Sequence, residues 1–167
     1  MPRTKVTATR KRTAKATSVN VKIHKTSTDA IFPEKAHPED AAYDLCASEA
    51  TTIESGHIAK IKTGLRMEIP PGWKGEIYSR SGLASRGLFV ANQPGKIDSN
   101  YRGEILVPLL NATVDLITVQ KGAKVAQFEV SPTYMIEWEE TEDLSRTDRG
   151  DGGFGSTDEI AGEEATA

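Results

Sequence analysis

Nine residues near the C-terminus, Arg149 to Thr157, combine one guanidinium, four glycines, one aromatic ring and two hydroxyls. Glycines permit positive φ and bring backbone N–H groups close to an anion. Arg149 can hold phosphate oxygens in a bidentate fork, and Ser156 and Thr157 can add hydrogen bonds. Phe154, set between Gly153 and Gly155, has little to pack against in its own segment and is available to a flat ligand. The segment lacks the lysine of a P-loop. Read alone, it is either an anion cradle or a flexible tail with one apolar anchor.

Four further segments carry reactive groups. Asp98 stands in Gly95-Lys96-Ile97-Asp98-Ser99-Asn100-Tyr101-Arg102-Gly103, a turn-rich stretch between strands. Its carboxylate is either a general base toward water or part of an Asx-turn with Asn100. Ser79-Arg80-Ser81-Gly82 places an arginine where a strand ends and a short helical turn begins. A Ser-capped helix start beside Arg80 suits an anion, and it equally suits an ordinary cap. Asp44, in Ala41-Ala42-Tyr43-Asp44-Leu45, is disfavoured inside a strand and needs solvent or a cation. Such an oxygen-only site fits Mg²⁺ held through water and phosphates. Gln127 is a polar residue in an apolar strand, closing a hydrogen-bond network or touching a ligand. Cys46 has no basic partner in sequence and reads as packing. His24, His37 and His57 are too scattered for a zinc site.

These groups need a scaffold, and the hydrophobic pattern supplies an all-β one. Val19–Ile23 alternates apolar and polar with period two, and similar runs follow at Ile58–Ile69, Gly75–Ser79, Glu104–Leu110, Ile117–Val119 and Val125–Val130. Pro70-Pro71-Gly72, Pro94-Gly95 and Lys121-Gly122 punctuate them. Only Ser81–Arg86 has room for helical turns. The pattern predicts a sandwich or barrel over residues 19–140, a basic tail over 1–18 and an acidic, Gly-rich arm over 141–167.

Composition narrows the setting. The net charge of −3 hides eight Lys or Arg and no acid in residues 1–28, against eleven acids and two arginines from Glu137 onward. The tail reads as disordered, with weak nucleic-acid contact, nuclear import or organelle targeting as open uses. A single cysteine points to an intracellular, reducing compartment, without resolving nuclear, organellar or viral/host cytoplasm. No apolar run approaches the ~20 residues of a membrane span.

Taken in order from Asp40 to Thr157, the five segments resemble the five motifs of the trimeric deoxyuridine triphosphatase (dUTPase) family. The resemblance implies a jelly-roll-like β fold, a homotrimer with shared active sites, and Mg²⁺-assisted hydrolysis of dUTP to dUMP and pyrophosphate. It also implies the family's role in keeping uracil out of DNA and supplying dUMP for dTMP synthesis. Asp98 then resembles the carboxylate that deprotonates the attacking water, and Tyr101 the ring under the deoxyribose. Asn92 and the backbone of Gly95 to Ile97 match the hairpin that reads uracil. Arg80, Ser81, Gly82 and Gln127 match phosphate contacts, and Asp44 a water-mediated Mg²⁺ contact. In the arm, Phe154 would stack on uracil while Arg149, Gly155, Ser156 and Thr157 hold the γ-phosphate side. Two positions depart from the family pattern. Ala123-Lys124 stands where an acid and Arg are usual, and Asp158 where Gly is common.

Two rivals follow. A dCTP deaminase shares this fold, but Pro108 falls where that family has its catalytic glutamate, and Glu104 lies ~13 Å away by strand rise. The other is a non-catalytic binding protein that docks a partner and grips nucleic acid with the basic tail.

Overall fold

The computed structural model describes residues 18–152, which divide into two units at Tyr134/Met135. The first unit is built almost wholly from strands. In chain order they are β1 (Lys22–Lys25), β2 (Tyr43–Cys46), β3 (Thr51–Ile53), β4 (Ile58–Glu68), β5 (Trp73–Tyr78), β6 (Leu88–Val90), β7 (Gly95–Ile97), β8 (Glu104–Asn111), β9 (Ile117–Val119) and β10 (Lys124–Pro132). One short helix, α1 (Ser81–Ala84), follows β5. No helix among the described residues is long and apolar enough to cross a membrane.

The strands form two four-stranded sheets, ordered β1-β4-β8-β6 and β2-β10-β5-β7, with a small β3-β9 pair. All pairings are antiparallel. Strand β8 shows why alternation matters. Ile105, Val107 and Leu109 are buried on one face, and they meet Ile61 and Leu65 of β4 with Leu45, Ile77 and Phe128 of the other sheet in one core. This is the all-β architecture that the pattern of short strands predicts, and it is consistent with the jelly-roll-like fold that the family resemblance implies.

The long central runs Ile58–Ile69 and Glu104–Leu110 form strands within a residue of the expected bounds. The first strand differs. Lys22 pairs with Glu68, so Asn20 would stand level with Pro70, which has no N–H to give, and the ladder begins at Lys22. Strand β4 carries a bulge between Lys62 and Arg66. Gly64 sits there at φ +68°, and its N–H donates to Glu104 Oε1 at 2.8 Å. One oxygen of the Glu104 carboxylate is thereby tied to the β4 bulge.

Candidate active site

The sheet β2-β10-β5-β7 assembles most of the reactive groups. Gln127 on β10 stands directly opposite Asp44 on one side and Tyr78 on the other. The chain leaves β5 at Tyr78, and two residues on Arg80 stands at the N-cap of α1. Arg80 Nε donates to Asp44 Oδ1 at 2.8 Å, while Lys124 Nζ pairs with Asp44 Oδ2 at the same distance. Three segments far apart in sequence thus meet at one carboxylate. Asp44 is only 8% exposed, so the cation that an aspartate in a strand requires is supplied twice over.

Ser81 and Gly82 are exposed at the start of α1. Serine capping does not occur: the N-cap is Arg80, with no side-chain cap bond. The neighbouring Ser79 is spent elsewhere. Its Oγ accepts from Val90 N at 2.8 Å and its N–H donates to Gln93 Oε1 at 2.9 Å, tying β5 to the β6–β7 connection. Gln127 is half-buried and forms no side-chain hydrogen bond among the described residues, which leaves its amide available to a ligand. Cys46 lies below this cluster. Burial, and then the Asp44 charge, push its thiol up from the ordinary value, so it stays protonated and packs.

The remaining sequence-predicted groups gather at the opposite edge. Gly95 to Ile97 form β7 rather than a turn, because Ile97, Lys96 and Gly95 pair with Gly75, Glu76 and Ile77 of β5. β6 and β7 do not pair with each other; they belong to different sheets, and residues 91–94 link them. The Asn92 amide lies over Gly95, where a Cβ would come within 3.3 Å of both amide atoms. Any side chain at Gly95 would make the Asn92 amide give way by a few tenths of an ångström. Asp98 follows β7 and is exposed, with no ion pair among the described residues. Tyr101 N–H donates to Asp98 O at 3.0 Å, and Arg102 Nη1 donates to Ser99 O at 2.7 Å, so one backbone bond and one arginine side chain shape the turn and leave the Asp98 carboxylate outside it. Tyr101 folds its ring across Gly103, where any Cβ would overlap it, and donates its hydroxyl to Glu104 O at 3.0 Å.

Arg149 belongs to the second unit, where its Nε donates to Gly152 O at 3.0 Å within a turn. Phe154, Gly155, Ser156 and Thr157 lie outside the described residues. Sequence reasoning gave no role to Glu76, Lys96, Ser79 or Gln93. Lys124 was visible only as a departure from a motif, and its partner depends on the β2–β10 register.

No group of three or more His, Cys, Asp or Glu among the described residues could hold a metal. One carboxylate flanked by two cations does not cage a dication. Each Asp44 oxygen keeps a lone pair beside its ion pair, which is donor chemistry suited to the water shell of a hydrated cation rather than to the bare ion.

Comparison with known proteins places this arrangement. The dUTPase family model matches residues 28–158. The deoxyuridine 5'-triphosphate nucleotidohydrolase of Clostridium acetobutylicum is 44% identical over 140 residues, covering 83% of this chain and 97% of that protein. The protein of the same name from Anaplasma marginale is 43% identical over 129 residues, covering 75% and 88%. Among solved structures, a variant dUTPase of Staphylococcus bacteriophage 80alpha with bound dUpNHpp superposes with a TM-score of 0.74 at 28% identity, covering 82% of this chain and 97% of that one. A variant dUTPase from phage phi11 of S. aureus, described with a structural Mg(II) ion, gives 0.69 at 25% identity, covering 76% and 99%. Likeness of this extent, over nearly the whole length of the relatives, is shared descent rather than a common β scaffold: the chain belongs to the dUTPase family.

Proposed function

We propose that this protein hydrolyses dUTP to dUMP and pyrophosphate. The observation that carries the reading is the union of Asp44, Arg80 and Gln127 on the sheet whose far edge presents an uncommitted Asp98. Water attacks the α-phosphorus, the bond from that phosphorus to the bridging oxygen breaks, and pyrophosphate leaves. Asp98 aligns the water and takes its proton. Asn92 and the backbone of Gly95 and Ile97 read the uracil edge, and Tyr101 packs under the deoxyribose. Arg80, with Ser81, Gly82 and Gln127, binds phosphate oxygens, and Arg80 keeps Asp44 as its anchor. Mg²⁺ supplies charge neutralisation on the triphosphate when bound. Arg149, Phe154, Gly155, Ser156 and Thr157 close over the nucleotide and exclude water.

The sites are shared between subunits of a homotrimer. Asp44 is level with Tyr78 in the ladder, whereas Asp98 follows the Ile97–Gly75 pair and is level with Lys74. β2 and β7 are the two edges of the sheet. At ~4.8 Å per strand spacing and ~3.4 Å per residue, the two carboxylates of one chain stand roughly 20 Å apart. That is too far for a water at the α-phosphorus and a cation on the same triphosphate, and a second chain closes the gap. Mixing Arg80→Ala with Asp98→Asn protein tests this. Sharing predicts that inactive parents regain activity after subunit exchange; continued inactivity of verified mixed trimers contradicts it.

The eight basic residues of the first 28 favour an added contact with nucleic acid. Six phosphates neutralised by Arg3, Lys5, Arg10, Lys11, Arg12 and Lys15 predict a log–log salt slope of about −5 on duplex DNA. Binding that persists after deletion of residues 1–18 would refute the tail's part in it.

A further inference from the structure

Glu76 is a buried acid outside the machinery described above. It lies on the outer face of β5 and is 6% exposed. Lys96 of β7 and Lys74 of β5 both reach its Oε1, Lys74 at 3.2 Å, and Ser131 of β10 donates its hydroxyl to Oε2 at 2.6 Å. Glu76 and Lys96 are direct cross-strand partners in the β5–β7 ladder. Tyr78 and Glu129 face the same cluster from β5 and β10. The Lys96 and Ser131 bonds hold the Glu76 carboxyl down at about 2, and Glu76 in turn raises Lys96, so the pair is charged throughout the neutral range.

Strand β7 is where such a bond matters. It is three residues long, it is an edge strand, and its first residue is a glycine. Ile97 is its one apolar anchor, and it is only half-buried. Residues 91–94 before it are exposed, and Asp98 comes directly after it. A three-pair ladder with one partly buried side chain is weakly fixed, and edge strands fray readily. Exposed ion pairs contribute little, but here the acid is desolvated and carries three partners from three strands.

We infer that the Glu76–Lys96 pair is a positioning clamp that fixes β7, and through it Asp98, against the sheet. Neither side chain touches substrate. Glu76 acts as the hub on β5, Lys96 as the arm on β7, and Ser131 ties the hub to β10, which also carries Gln127. This inference rests on the dUTPase reading for the role of Asp98, though not for the clamp itself.

The test compares Lys96→Met, Lys96→Arg and wild-type full-length protein by steady-state dUTP hydrolysis, thermal unfolding and amide hydrogen exchange. Lys96 is half-exposed, and its loss leaves Glu76 with Lys74 and Ser131, so the fold survives. In Lys96→Met, kcat is expected to fall about tenfold to a hundredfold, the scale of a small misplacement of a reacting group. Exchange at Gly95, Lys96 and Ile97 quickens while that of β4 and β8 does not, and Lys96→Arg restores both. A kcat within about twofold of wild type overturns the positioning role, whether or not exchange changes. Unchanged exchange at β7 overturns the clamp. Should wild-type protein not hydrolyse dUTP, the functional reading fails instead, and the exchange data alone decide the clamp.

Discussion

Asp44 and Asp98 stand at opposite edges of one sheet, and their surroundings could hardly differ more. Asp44 is buried on β2 with a guanidinium on one oxygen and an ammonium on the other. Asp98 projects from an exposed turn whose backbone makes its own bonds, and no cation engages it among the described residues. A carboxylate held between two cations fixes where those cations point. A solvated carboxylate at an exposed turn can move a proton, given a substrate to align the water. In the mechanism proposed above the same side chain takes two roles, because the fold pairs it with cations in one place and leaves it unpaired, among the described residues, in the other.

The largest effect should come from breaking the free member. Asp98→Asn is expected to lower kcat by about 10²–10⁴-fold while trimer formation and dUTP binding persist, measured by single-turnover kinetics and equilibrium binding. Near-normal turnover would remove Asp98 from the general-base role. Breaking the committed member acts first on the fold. Asp44→Asn leaves Arg80 and Lys124 without their shared anion, and unfolding in urea should show a loss of about 2–3 kcal/mol. No change in midpoint would mean that the triad contributes nothing to stability.

A control on the opposite face of the same sheet sharpens the contrast. A Cβ at Gly75 would sit 2.6 Å from Phe128 Cε2 and 3.0 Å from Ile69 Cδ1. Gly75→Ala should therefore destabilise by about 1–3 kcal/mol through overpacking, with no specific effect on kcat of the folded fraction. In the arm, Phe154→Ala should raise KM for dUTP by roughly tenfold through lost stacking, and unchanged kinetics would show that the arm is not a lid. The smallest effect concerns Glu76, whose pKa is depressed from 4.5 to about 2. A depressed acid contributes stability that is fully present above pH 4.5 and is lost as pH falls toward 2. Glu76→Gln should flatten that acid limb in urea titrations, and an unaltered limb would assign it to other groups.

The sequence made legible what local pattern controls. Period two in Ile58–Ile69 and Glu104–Leu110 marks the central strands, because each buries alternate residues in one core. Of the three-residue strands, β9 shows its alternation in Ile117-Thr118-Val119, whereas β3, β6 and β7 do not stand out in the sequence and depend on partners elsewhere in the chain. At the site, the need of Asp44 for solvent or a cation could be read from its strand context. Which cations answer it follows from the β2–β10 register and the turn after Tyr78, neither of which is local. The hub at Glu76 was invisible for the same reason, since its partners come from three strands.

The central claim is tested most directly by supplying dUTP, dCTP, dTTP and UTP in parallel with Mg²⁺ and resolving the products by chromatography. The account predicts fast release of pyrophosphate from dUTP alone, with dUMP as the only nucleotide product. Deaminated product from dCTP, or no turnover of any nucleotide by folded trimer, would contradict it.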